Sequence, residues 1–273
     1  MATAVSTPPG SLEALADPVR WQLLGELGRS DRRVGELVRL VDRPQNLVSY
    51  HLRALRDAGL VTARRSAYDG RDTYYRVDLD RCADLLRVAG EALHPGVRLT
   101  PAAPRLPTTD PRRRVLFLCT GNSARSQMAE ALLAHVAGGT VEARSAGSHP
   151  KPLHLNAVRV MAARGIDIST HRTKAVDEVA DRRFDVVVTL CDKVREVCPE
   201  LPGAPVAAHW SMGDPAAEGD TDEATLAAFE RTVSELEVRI PHLLAALAAL
   251  GLPAADAPDP AHRRPPRDQP GKR

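Results

Sequence analysis

Val115-Leu-Phe-Leu-Cys119-Thr-Gly-Asn-Ser-Ala-Arg125-Ser126-Gln-Met-Ala-Glu130 is the stretch on which the reading of this chain turns. Four apolar residues run into a cysteine, five residues follow, and an arginine opens a segment of helical composition. An apolar run of that length ending at a glycine-bearing turn reads as a buried strand, and the pattern repeats downstream. The expected strands are 115–119, 141–146, 185–190 and 206–210; the expected helices are 126–136, 153–164, 175–180 and 223–250. Strands that alternate with helices build a parallel sheet covered on both faces.

The same stretch carries chemistry. The loop N–H groups of Thr120, Gly121, Asn122, Ser123 and Ala124 and the start of the following helix converge on one point, where the helix dipole is positive. Arg125 can grip two oxygens of a tetrahedral anion with its planar fork. That field keeps Cys119 as the thiolate, the reactive nucleophile. Ser126 is placed to donate a further hydrogen bond to the sulfur.

Toward the N-terminus, residues 11–94 follow the order helix, helix, helix, hairpin, helix. Leu12, Leu15, Val19, Leu23, Leu24 and Leu27 recur at helical spacing, with Pro18 tolerated in a first turn. Val34, Leu37, Val38 and Val41 mark a second helix, and residues 45–58 a third that Gly59 ends. Residues 60–65 and 73–77 flank Asp69-Gly70, a hairpin turn signal, and 81–93 form a last amphipathic helix. The Pro-, Thr- and Arg-rich residues 95–113 read as a linker to an α/β domain at 114–250. The Pro/Arg/Asp mixture of 251–273 reads as a disordered tail.

A chain of 273 residues is long enough for two such domains. Its net charge of +2 demands no polyanionic partner, so a nucleic-acid surface has to come from local clustering of Arg and Lys. No apolar run spans a bilayer and the first residues lack the layout of a signal peptide, which places the expected chain in the cytoplasm with no membrane partner. In that reducing compartment the four cysteines, Cys82, Cys119, Cys191 and Cys198, do chemistry or pack rather than form a structural disulfide framework.

Residues 114–250 resemble the low-molecular-weight protein tyrosine phosphatase superfamily and, within it, the thioredoxin-coupled arsenate reductases. The resemblance implies a flavodoxin-like, four-stranded parallel sheet. The pair in Thr189-Leu190-Cys191-Asp-Lys-Val-Arg-Glu-Val-Cys198-Pro199 is what those reductases carry and the phosphatases lack. A second thiol has to attack Cys119 to expel arsenite, and a third has to move the disulfide outward to an external reductant. Thioredoxin, or a thiol of the mycothiol/mycoredoxin type, is the implied reductant, with no bound cofactor and no metal. His209-Trp-Ser-Met-Gly-Asp214-Pro-Ala216 is similar to the loop that supplies the general acid, which makes Asp214 the proton donor. Ala216 stands where phosphatases of the superfamily usually have an aromatic that helps bind phosphotyrosine. Asn122, Glu130 and Ser145 match a potassium cluster of some of these reductases, but Lys174 occupies the position of its remaining acid. An ammonium group there can fill the cation's place.

Residues 11–93 resemble the ArsR-type repressors, through Leu15-Ala-Asp-Pro-Val-Arg20 and Val48-Ser-Tyr-His51-Leu-Arg-Ala-Leu-Arg-Asp-Ala-Gly-Leu60. The resemblance implies a mostly α winged helix-turn-helix, a homodimer through that domain, and operator DNA as partner. Gln45, Asn46, Ser49, Tyr50 and Arg53 lie opposite the packing face of the third helix, as base and phosphate readout needs. Arg64 and Arg71 flank the hairpin, where a wing touches backbone phosphate. Arsenite sensing by clustered thiolates finds only Cys82 in this half, and one thiol makes no three-thiolate site. The whole is thus read as an arsenate reductase fused to a regulator domain. The alternatives are a phosphoester phosphatase fused to the same domain and a non-catalytic regulator that responds to an oxyanion or arsenical.

Overall fold

The computed structural model describes residues 12–94, 96–97, 113–197 and 206–249. The linker expected at 95–113 and the tail expected at 251–273 fall almost wholly outside them, as does Cys198.

The N-terminal half is a winged helix-turn-helix. Its elements are α1 (Leu12–Leu15), α2 (Pro18–Arg29), β1 (Arg32–Arg33), α3 (Val34–Val41), α4 (Gln45–Asp57), β2 (Val61–Arg65), β3 (Thr73–Val77) and α5 (Leu79–Leu93). The single helix expected from Leu12 to Leu27 is two. Asp17 is extended and its carboxylate accepts from the Val19 and Arg20 amides, so it caps a new helix that Pro18 opens. The short strand β1, absent from the sequence reading, pairs with β3 and makes the sheet order β1-β3-β2. Leu23, Leu37, Val48, Leu52, Leu55 and Leu60 fill the core beneath.

The C-terminal half is the four-stranded parallel sheet in the order β5-β4-β6-β7. It is built from β4 (Arg113–Cys119), β5 (Val141–Gly147), β6 (Val186–Thr189) and β7 (Val206–His209). Its helices are α6 (Arg125–Ala137), α7 (Leu155–Ala162), α8 (Asp192–Val197) and α9 (Asp222–Ala249). The helix expected at 175–180 is only a 3-10 turn, Val176–Glu178. It offers few apolar side chains to bury, so packing does not lengthen it. Val115, Leu116 and Phe117 are fully buried, as a central strand covered on both faces requires. The chain leaves β4 toward β5 on one side and reaches β6 on the other. This reversal of strand order opens a crevice beyond the carboxyl ends of β4 and β6.

Candidate active site

Cys119 is the last residue of β4, and Cys191 follows β6 by two residues. Leu118 pairs with Thr189, and the Leu190 amide donates to the Leu118 carbonyl at 2.7 Å. Neighbouring strands lie about 4.8 Å apart, so the two cysteines flank the crevice from adjacent strand ends. Both are buried and free. Thr120 bridges them, its Oγ1 3.4 Å from Cys191 Sγ.

Two groups face the Cys119 sulfur: Ser126 Oγ at 2.9 Å and the Asn122 amide at 3.2 Å. Asn122 holds the loop. Its backbone is left-handed, at φ 46°, a conformation that a non-glycine residue adopts only under constraint. The constraint is a filled set of side-chain hydrogen bonds. Nδ2 donates to Ser126 Oγ at 2.9 Å and to Ser145 Oγ at 2.8 Å, while Oδ1 accepts from Gln127 Nε2 at 3.0 Å and the Lys174 amide at 2.7 Å. Gly147, at the end of β5, makes room for the turn, because a Cβ there would meet the Asn122 nitrogen and the Thr120 oxygen at 2.7 Å each.

Arg125 begins α6 and is buried. Its Nη1 donates to the Met212 and Gly213 carbonyls at 3.0 Å each, and its Nη2 lies 3.4 Å from Asp214 Oδ1. Its Nε has no protein partner among the described residues. Asp214 itself is half exposed and accepts from the Ala216 amide at 3.3 Å. Burial pushes the Cys191 thiol up, while the nearby Arg125 charge pulls the other way.

These contacts bring the Cys119–Arg125 loop against residues 212–214. Residues 114–251 match the family described as low molecular weight phosphotyrosine protein phosphatase. The chain belongs to that family. Residues 17–63 match the bacterial regulatory protein, arsR family. Among curated relatives of this phosphatase-family chain, an arsenate reductase of Halalkalibacterium halodurans is 40% identical over 47% of this chain and 93% of its own length. One of Bacillus subtilis is 39% identical over 46% and 91%. A solved structure titled arsenate reductase from Archaeoglobus fulgidus aligns at 32% identity over 48% of this chain and 98% of its own, with a TM-score of 0.40.

The family's loop is joined here by a cluster in which Ser145 Oγ donates to Glu130, and Lys174 Nζ lies 3.2 Å from Glu130 Oε2. Lys174 thus already places its ammonium on Glu130, the carboxylate to which Ser145 donates. That does not fit a second cation at the same point. Among the described residues no three His, Cys, Asp or Glu side chains are grouped to hold a metal, and no helix is long and apolar enough to cross a membrane.

In the other half, Gln45, Asn46, Ser49, Tyr50 and Arg53 all lie exposed on α4, and Arg71 is exposed at the hairpin turn. Arg64 does not follow the expectation. Its Nη2 donates to Asp192 Oδ2 at 2.8 Å, and its Nε to the Ser211 carbonyl at 3.1 Å, both in the C-terminal half. A buried carboxylate holds a guanidinium more strongly than water does, which is why this wing residue turns inward. The sequence reading also missed Asp31, Asp192, His209 and Ser211, which join the halves. Only their closeness to Cys191 and Asp214 along the chain marked any of them.

Proposed function

We propose that this chain reduces arsenate to arsenite at the Cys119 loop, with a winged-helix half that binds operator DNA as a homodimer. The observation that carries the enzymatic reading is the second buried cysteine, Cys191, at the strand end beside Cys119. Ordinary phosphoester hydrolysis has no use for it. Relatives named arsenate reductase support the same choice.

Arsenate sits over the loop amides, with Arg125 Nε, the unpartnered donor, turned to its oxygens. Cys119 Sγ attacks arsenic(V); an S–As bond forms and an oxygen leaves with a proton from Asp214. Cys191 Sγ then attacks the Cys119 sulfur. An S–S bond forms, the S–As bond breaks, and its electron pair stays on arsenic, which departs as arsenite. Cys198 attacks Cys191, frees Cys119 and carries the disulfide outward, where a thioredoxin or a mycothiol/mycoredoxin-type thiol reduces it. Ser126 and the Asn122 amide steady the Cys119 thiolate, and the Lys174 ammonium stands in for a bound cation.

The relay needs movement. A helix continued from Cys191 through Cys198 would set the two about 10 Å apart along its axis, at ~1.5 Å per residue, against the ~7 Å between Cα atoms that a disulfide spans. A relay between them would therefore require such a helix to unwind.

The test is arsenate-dependent NADPH oxidation with thioredoxin and thioredoxin reductase, run beside a phosphoester assay on the same protein. Arsenate-dependent oxidation is the expected result. Phosphoester turnover without it would make the chain a phosphatase, and inactivity in both would leave a non-catalytic regulator. For the DNA-binding half, exposed Gln45, Asn46, Ser49, Tyr50, Arg53 and Arg71 supply the readout face, and α5 leaves Leu86, Val88 and Leu93 in solvent for a second copy.

A further inference from the structure

Asp192, the residue after Cys191, is the most heavily engaged carboxylate near the site. Its side chain is wholly buried. Oδ1 accepts from His209 Nε2 at 3.1 Å and from Ser211 Oγ at 2.8 Å. Oδ2 accepts from Arg64 Nη2 at 2.8 Å and from the Ala67 amide at 2.7 Å. Two of the four donors thus come from the winged-helix half. The Arg64 guanidinium also reaches Ser211, three residues before Asp214, through the Ser211 carbonyl at 3.1 Å and Oγ at 2.6 Å. Further along α8, Glu196 accepts from Ser66 Oγ and Tyr74 Oη at 3.0 Å each, and Arg195 Nη2 donates to Glu36 at 2.9 Å.

α8 has six residues, too few to be stable alone. Its first turn starts on the Cys191 carbonyl, which accepts from the Arg195 amide at 3.2 Å. Whatever holds α8 therefore sets the direction of the Cys191 side chain. Three side-chain anchors within α8, at Asp192, Arg195 and Glu196, are met by partners from the wing and the helix-turn-helix.

We propose that Arg64 of the winged-helix half is a positioning residue for Cys191, so that the DNA-binding module completes the reductase. The proposal rests on the arsenate-reductase reading. Arg64 touches neither substrate nor the reacting sulfurs; it acts through Asp192, while Ser211, which it also contacts, is held independently by the Asp31 carboxylate at 2.7 Å. The step it serves is the attack of Cys191 Sγ on Cys119 Sγ, with the S–S bond formed, the S–As bond broken and the electron pair left on arsenic. That displacement requires the incoming sulfur in line with the bond that breaks, and small errors in placement slow it greatly.

The experiment compares full-length wild type, Arg64→Met and Arg64→Lys in steady-state arsenate reduction. It also counts protein thiols lost after mixing reduced protein with arsenate and no reductant. In Arg64→Met, kcat should fall about tenfold or more while the arsenate KM stays within about twofold, because the loop that binds the anion is untouched. The loss of thiols should slow by the same factor. Arg64→Lys, which keeps the charge and one donor, should recover a substantial part of both.

Should Arg64→Met fail to fold, Arg64→Gln with Asp192→Asn removes both charges. It should still lose kcat, since an Asn carbonyl cannot accept from four donors. An unchanged kcat, a kcat and KM that move together, or no recovery in Arg64→Lys would each overturn the proposal. Wild-type protein that reduces no arsenate would instead overturn the functional reading beneath it.

Discussion

Two segments at neighbouring strand ends of one sheet, residues 119–126 and residues 191–197, are built on opposite plans. The Cys119 loop is finished by its own half of the molecule. Ser126, Ser145, Gln127 and Lys174 hold Asn122, and the backbone of residues 212–213 holds Arg125. The Cys191 segment is a single short turn whose side chains reach across to Arg64, Ser66, Tyr74 and Glu36. A site for a small anion has to be rigid, since its donors must already point at the charge. The proposed thiol relay has to let go, since in it Cys191 would meet two different sulfurs in turn. Anchors that lie in another domain can hold the segment and still be released.

The largest effect that tests this contrast separates the two cysteines. Cys119→Ser should lower both arsenate reduction and any phosphoester hydrolysis on the order of a thousandfold or more, because both need the loop nucleophile. Cys191→Ser should stop steady arsenate turnover and leave phosphoester hydrolysis in place. Equal loss of hydrolysis in the two variants would show that the segments are not independent.

Next in size is the bridge between the halves. Asp31 is buried and the Arg239 side chain nearly so, with Arg239 Nη2 2.9 Å and Nη1 3.1 Å from the carboxylate oxygens, and the Ser211 amide adds a 2.7 Å bond. Asp31→Ala leaves the Arg239 charge buried without that partner. It should cost about 3–5 kcal/mol in urea unfolding. A cost below about 1 kcal/mol would mean the interface does not tie the two halves together.

Asp192 offers a smaller effect that depends on pH. Burial would raise its carboxyl, but hydrogen bonds from His209, Ala67 and Ser211 and the Arg64 charge outweigh it and bring it to about 2, from 3.8. A carboxyl lowered by folding stabilises the fold fully above its unfolded value. That contribution is lost as pH falls from about 4 toward 2. The gap corresponds to about 2 kcal/mol. Unfolding curves between these pH values should be flatter for Asp192→Asn by roughly that amount, and an unchanged slope would remove the wing's hold on Asp192.

The smallest expected effect lies in the rigid loop. With the Lys174 ammonium 3.2 Å from Glu130, exchange of potassium for sodium should move the melting temperature by no more than about 1 °C. A specific rise with potassium would displace Lys174 from the role of internal cation.

The loop was legible because its logic is local. Strand, glycine-bearing turn, arginine and helix follow one another within sixteen residues, and the backbone makes the cradle from them in order. The exposed face of α4 was legible for the same reason, since exposure on an isolated helix face follows from its period. Between Leu12 and Leu27 the apolar spacing runs through without a break, but Asp17 caps and Pro18 opens a separate helix, as the proline's place in a first turn requires.

The sequence carried, within short windows, two domains of stated fold, a cysteine at a strand end before a glycine-bearing turn, and a second cysteine at the next strand end. Hydrophobic period, turn chemistry and motif spacing act over a few residues and can be read without a fold. Only the tertiary structure decided that Arg64 faces Asp192, that Asp31 meets Arg239, and that Lys174 reaches Glu130. Those partners lie 128, 208 and 44 residues apart. Their pairing depends on which buried charge finds which neighbour once two cores have packed, and desolvation makes that choice only when the surfaces are already in contact.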